Sequence, residues 1–191
     1  MCGLLTNTIS CMKILLLGCG HKKRPEYTNI DGMFVPIAGD HKNHYDKDDV
    51  VRLDINPDCN PDVLWDLNNR PLPFEDGEFD EIHAYEVMEH VGRQGDFVGY
   101  FSEMMEYARI LKDGGTILGC VPRWDRVWAW GDPGHCKIIT SGTLLYLDSV
   151  RYENEIGRSH ITDYRRYLTH NLRLLAEMKN DYSLYFLLKK V

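Results

Sequence analysis

The order of hydrophobic periods in this chain predicts an open α/β sheet, parallel through its first strands and antiparallel at its end. Three observations carry that reading. Short apolar runs alternate with helical or loop stretches, a glycine turn follows the first run, and two apolar runs split by a polar turn close the sequence. With 191 residues and 43% hydrophobic content the chain can bury one real core, and 12–191 reads as a single domain. Met12 stands just before the first strand, so residues 1–11 read either as an upstream extension or as part of the chain's own start.

The first strand is Ile14 to Leu17, inside "KILLLGCGHKKR". The second is "VVRLDI" (50–55), the third "DVLWDL" (62–67), the fourth "FDEIHAYEV" (79–87) and the fifth "TILGCV" (116–121). The "PLP" of 71–73 makes a rigid turn between the third and fourth. Between the fourth and fifth, Phe97, Tyr100, Phe101, Met104, Ala108 and Leu111 recur at three- and four-residue spacing, which is one helix face turned to the core. Lys112 and then Gly114-Gly115 supply a favourable charge and a left-handed stop at its end. Past residue 158, "NLRLLAEM", the turn "KNDY" and "SLYFLLKKV" read as a hairpin closing one edge of the sheet.

Composition narrows the function. Lysine and arginine total 22 against 29 acidic residues, a formal charge of -7, so nucleic acid and anionic membrane are disfavoured as partners. The apolar start is too short and broken for a membrane span and has no basic leader. Six scattered cysteines without a C-x-x-C pair read as reduced thiols in a cytoplasmic protein and match no zinc pattern. His41 and His44, with Asp40 and Asp46, have no established ligand spacing and read as a solvated loop, so no metal is expected.

A glycine turn after a first strand lets the backbone approach a ligand at the carboxyl edge of the sheet. Gly18 and Gly20 form a bare G-x-G; the third glycine of a dinucleotide fingerprint is replaced by Lys23, and no Gly-Lys-Ser/Thr follows. Asp54, at the end of the second strand, is placed to accept two hydrogen bonds from a ribose diol. It stands 34 positions after Gly20, beyond the roughly 20 of the NAD fingerprint. Asp66, at the end of the third run, is placed to receive an adenine amine.

Together these residues resemble a class I S-adenosylmethionine-dependent methyltransferase, of the small single-domain bacterial or phage sort (methyltransferase type 11-like). "LLLGCG" is similar to the family's first motif, "RLDINPDCNPDVLWDLNNRPLPFEDGEFDEIHAYEVMEHV" to the block that follows, and "ARILKDGGTILGCVP" to the segment around the fifth strand. The resemblance implies a Rossmann-like, doubly wound, seven-stranded and mostly parallel sheet with the C-terminal antiparallel hairpin as its last two strands. It implies S-adenosyl-L-methionine as cofactor. Carried over by position, Gly18 and Gly20, with Cys19 between them, lie under the methionine half; Asp54 holds the ribose, with Ile55 beside it. Asp66 and Leu67 flank the adenine, and Glu86 borders the methyl-transfer face. The family more often has small residues where His21-Lys22-Lys23-Arg24 follows the glycines, and the insertion at 39–49 leaves Asp31 as a rival to Asp54. Asp54 is favoured because the run before it is the better strand. On this basis Asp54→Ala is expected to weaken cofactor binding and leave the fold intact.

Methyl transfer from a sulfonium is an in-line displacement, so alignment can supply most of the catalysis and a general base is optional. His90 and His135 are the base candidates. His90 reads equally as a helix-start histidine bonded to a neighbouring loop. His135 lies in "PRWDRVWAWGDPGHC", where Trp124, Trp128 and Trp130 gather with Asp132 as a substrate wall or lid, or as a loop folded under its own aromatics. The expected acceptor is a small molecule or sugar-like compound, with oxygen favoured over nitrogen; the missing Asn/Asp-Pro-Pro-Tyr/Phe motif argues against methylation of DNA amino groups. Rival readings are a non-catalytic S-adenosylmethionine-binding partner or sensor, and a nucleotide- or NAD-using enzyme on the same sheet. A homo-oligomer would use the Trp-rich loop as its contact.

Overall fold

A computed structural model describes residues 12–21, 27–30, 33–36 and 50–191. Residues 1–11, Lys22 to Arg24, Asp31 and the 39–49 insertion with its histidines and acids lie outside the described residues.

The main sheet has seven strands in the order β5-β4-β1-β6-β7-β9-β8. β1 (Ile14–Leu17) lies between β4 (Val50–Asp54) and β6 (Phe79–Tyr85), parallel to both. β5 (Val63–Leu64) extends the sheet beyond β4, and β7 (Leu111–Pro122) lies beside β6, again in parallel. β9 (Ser183–Lys190) runs antiparallel to β7 and to the edge strand β8 (Leu172–Lys179). The switch from parallel to antiparallel therefore falls where the terminal hairpin was expected. A separate two-stranded antiparallel ribbon, β2 (Tyr27–Ile30) with β3 (Met33–Pro36), was not foreseen.

β1 is buried along its whole length, as an unbroken aliphatic run in a central parallel strand should be. Leu15 and Leu17 join Leu53, Ile82, Ala84 and Ile117 in the larger core cluster, while Ile14 and Leu16 join Val50, Tyr85 and Cys120 in a smaller one. α1 (Phe97–Ile110) packs Phe101, Met104, Tyr107 and Ala108 into the larger cluster. Asp96 caps its start by accepting from the Gly99 amide at 2.9 Å.

The end of α1 differs from expectation. The helix stops at Ile110, with Leu111 already extended and paired to Phe79; the register resumes only at Glu81 with Thr116. Gly114, at φ +81, turns the chain within this interruption rather than capping the helix. The sequence 127–155 also folds into three short helices, α2 (Val127–Gly131), α3 (Ser141–Leu145) and α4 (Ser149–Glu155), each too brief to show a period. No helix among the described residues is long and apolar enough to cross a membrane.

Candidate active site at the carboxyl edge of the sheet

The carboxyl ends of β1, β4 and β6 bring the glycine turn, Asp54 and Glu86 to one edge of the sheet. The two glycines serve different ends. Both have positive φ, +54 at Gly18 and +52 at Gly20, where a side chain is strained. A Cβ on Gly18 would lie 2.3 Å from Val87 Cγ2, so the space at this position is filled by the chain itself rather than by a ligand. A Cβ on Gly20 would meet nothing within 4 Å. Only the second glycine faces room.

Asp54 is 9% exposed and ties this turn to β4. Its Oδ2 accepts from the Gly20 amide at 2.7 Å and its Oδ1 from the Asn56 amide at 2.8 Å. Each oxygen keeps a further lone pair for a ligand hydroxyl. The turn therefore depends on Asp54, and Asp54→Ala would loosen it. Cys19 is buried between the glycines, and burial together with the Asp54 charge pushes its thiol up to about 11. Ile55 projects outward, 64% exposed. Asp66 makes an Asx turn, accepting from the amide and side chain of Asn68, whose own oxygen accepts from the Gly92 amide at 2.9 Å. The Leu67 side chain packs in the main core, so it has at most its backbone to offer an adenine.

Glu86 has φ +53, uncommon for a residue with a side chain and a mark of a constrained turn at the end of β6. The exposed carboxylate is held by Ser183 Oγ at 2.8 Å and Cys120 Sγ at 3.0 Å, from β9 and β7. The chain then makes a single helical turn, Met88–His90. His90 ends it, and its Nδ1 donates to the Gly134 carbonyl at 3.0 Å, so the expected bond to a neighbouring loop is present.

That loop returns His135 to the same place. Backbone bonds from Cys136 N to Glu89 O (2.7 Å) and from Gln94 N to Cys136 O (2.8 Å) zip the two segments together. The rings of His90 and His135 meet edge to face, 4.7 Å between centroids. His135 Nδ1 donates to the Ala129 carbonyl at 3.3 Å, and its Nε2 lies 3.9 Å from Asp132 Oδ2 and 4.0 Å from Glu89 Oε1. The three expected residues thus come together, joined by one that sequence reasoning missed. Glu89 is 2% exposed, and neither carboxylate oxygen has a hydrogen-bond partner. Burial pushes its carboxyl up to about 9; the charge of Glu86 and, with a proton between them, a carboxyl–carboxyl hydrogen bond with it add to the rise, and Lys137 opposes it. Its only sequence signal was an acid beside His90 in "VMEHV".

Beyond the cluster, a cavity of about 220 Å³ is lined by residues including Gln94, Phe97, Tyr100, Lys137, Tyr146 and Tyr164. Lys137 is buried, ion-paired with Glu103 and seated over the Tyr100 ring. The Trp loop does not fold under its own aromatics: Trp124, Trp128 and Trp130 are 57%, 65% and 68% exposed.

No family model and no curated protein matches the chain. Solved structures do. A SAM-dependent methyltransferase from Archaeoglobus fulgidus superposes with a TM-score of 0.55 at 14% identity, over 95% of this chain and 87% of that one. The N-methyltransferase NodS from Bradyrhizobium japonicum, in complex with S-adenosyl-L-homocysteine, gives 0.52 at 12% identity over 94% and 78%. The putative methyltransferase in complex with the Trm112 activator of Haloferax volcanii gives 0.53 at 13% identity over 94% and 82%. The strand order, the glycine turn and these superpositions agree that the chain has the fold of the class I S-adenosylmethionine-dependent methyltransferases.

Proposed function

We propose that the protein is an S-adenosylmethionine-dependent methyltransferase acting on a small-molecule or sugar-like acceptor, with oxygen as the acceptor atom. The observation that carries this reading is the Asp54 carboxylate, which binds the Gly20 and Asn56 amides and still has a lone pair on each oxygen beside the room at Gly20. These residues fit the cofactor. S-adenosylmethionine supplies a methyl group already activated by its sulfonium charge. The chain's part is to hold and align: Asp54 accepts the ribose hydroxyls, Asp66 and the Leu67 backbone border the adenine, Gly20 with Cys19 makes room for the methionine end, and Glu86 places negative charge toward the sulfonium.

The acceptor side is the His90, His135, Asp132 and Glu89 cluster, with the neighbouring cavity as a place for the rest of the molecule. An aromatic lining with one buried cation suits a small polar compound. The net charge of -7 favours such a compound over nucleic acid, and a cytoplasmic location belongs to the same reading. Incubation with methyl-labelled S-adenosylmethionine and a metabolite extract tests the proposal. Label in a small compound that survives alkali, and that hydriodic acid releases as methyl iodide under conditions that leave N-methyl groups in place, is the expected result for a methyl ether. Label retained through that cleavage would contradict oxygen as the acceptor. A chain that binds S-adenosylhomocysteine yet labels nothing supports a sensor module instead.

A further inference from the structure

We propose that Glu89, His90 and His135, with Asp132 at the rim, form a binding site for a divalent first-row transition cation. One ligating atom from each of the first three lies within 4.8 Å of the others. Asp132 Oδ2 is 3.9 Å from His135 Nε2. Metal bonds of about 2.1 Å hold neighbouring ligand atoms about 3–4 Å apart, so a small closing movement completes the set.

The surroundings are arranged as a metal site requires. Metal-bound histidines usually give their other N–H to a carbonyl, which fixes the tautomer. Here His90 Nδ1 donates to Gly134 O and His135 Nδ1 to Ala129 O, leaving the lone pair of each ring on Nε2. The Glu89 side chain is almost wholly buried, both oxygens lack a donor, and Oε1 is turned toward His135 Nε2. A buried carboxylate without partners is costly, and a cation between it and two imidazoles removes that cost. His90 is exposed and provides a route of entry. Two imidazoles with carboxylate oxygen suit manganese, iron, cobalt or zinc better than calcium. This departs from the sequence expectation of no metal, because the ligands come from segments 45 residues apart in the chain and only the backbone zipper joins them. The site does not depend on the methyltransferase reading. A bound cation would occupy the lone pair that a base at His135 would use, so the two roles exclude each other.

The test is calorimetric titration of the chelator-stripped full chain with MnCl2, alongside Glu89→Gln, His90→Ala and His135→Ala, with a melting curve for each. The expected result is one Mn2+ per chain, weakened more than about tenfold by each substitution, since changing only outer-shell partners already costs that much. Glu89→Gln keeps the shape of the side chain and guards against a trivial loss of fold. The competing arrangement is a proton on Glu89 held against Glu86. No binding of Mn2+, or of ZnCl2 in a parallel titration, by a folded wild-type chain would establish that arrangement and overturn the proposal. Binding unchanged in Glu89→Gln and His135→Ala would overturn it as well. S-adenosylhomocysteine titrated into the same samples keeps the outcome separate from that of the methyltransferase reading.

Discussion

At the β1 and β4 end of the site, Asp54 gives both oxygens to backbone amides, whereas at the β6 and β7 end the Glu89 carboxylate is buried with neither oxygen engaged. The first region is complete within one turn and one strand end. The second is assembled from two distant segments and leaves a buried carboxyl without a donor from the chain. A group satisfied by the chain contributes to folding as well as to binding; one left unsatisfied lowers stability until something binds it. The Asp54 end should therefore respond to mutation through stability, and the Glu89 end through ligands.

The largest expected effect is at the turn itself. Gly18→Ala combines left-handed strain with a clash against Val87 and should cost about 2–5 kcal/mol. Gly20→Ala meets only the strain and should cost about 1–2 kcal/mol. Urea melts of the pair check this, and equal losses would mean that Val87 is not seated as described. Next comes Asp54→Ala, which strands two amides: a loss of about 2 kcal/mol, with the fold retained, should accompany weaker cofactor binding. Glu89→Gln breaks the comparison from the other side. With no donor from the chain to lose, and an amide able to keep a hydrogen bond to Glu86, it should shift stability by no more than about 1 kcal/mol in the absence of metal. A loss as large as that at Asp54 would show that Glu89 has a structural partner.

The smallest effect is a pH dependence at Cys19. Its thiol is raised from the ordinary 9.0 to about 11, so the folded chain holds that proton more tightly than the unfolded one. The stability this contributes is fully present below pH 9 and is lost as pH rises through about 11. The Cys19 peptide should accordingly resist iodoacetamide at pH 8 while that of the exposed Cys136 reacts, as peptide mapping by mass spectrometry would show.

Continuous aliphatic runs made the centre of the sheet legible. Ile14 to Leu17 matches its strand, and 50–55 runs one residue beyond β4. The α1 stripe and the terminal hairpin were equally plain, because their periods persist long enough to register. Local signals failed where pairing, not pattern, decides the outcome. Leu111 joins a strand because Phe79 lies beside it, β5 keeps only Val63 and Leu64 of the six residues expected, and the short helices have no period to read. The Leu67 side chain fills the core, which leaves its backbone as the part that can meet an adenine, and the space a Cβ on Gly18 would take is held by Val87. Glu89 carries no pattern of its own in the sequence; its burial without a donor arises only when residues 132–138 close over it.

Calorimetric titration of the purified chain with S-adenosylhomocysteine, with NAD as a parallel control, tests the central claim that Gly20 and Asp54 form the cofactor end of a methyltransferase site. Micromolar binding of S-adenosylhomocysteine alone, weakened at least tenfold in Asp54→Ala, is the predicted result. A folded chain that binds neither compound, or binds NAD instead, would contradict it.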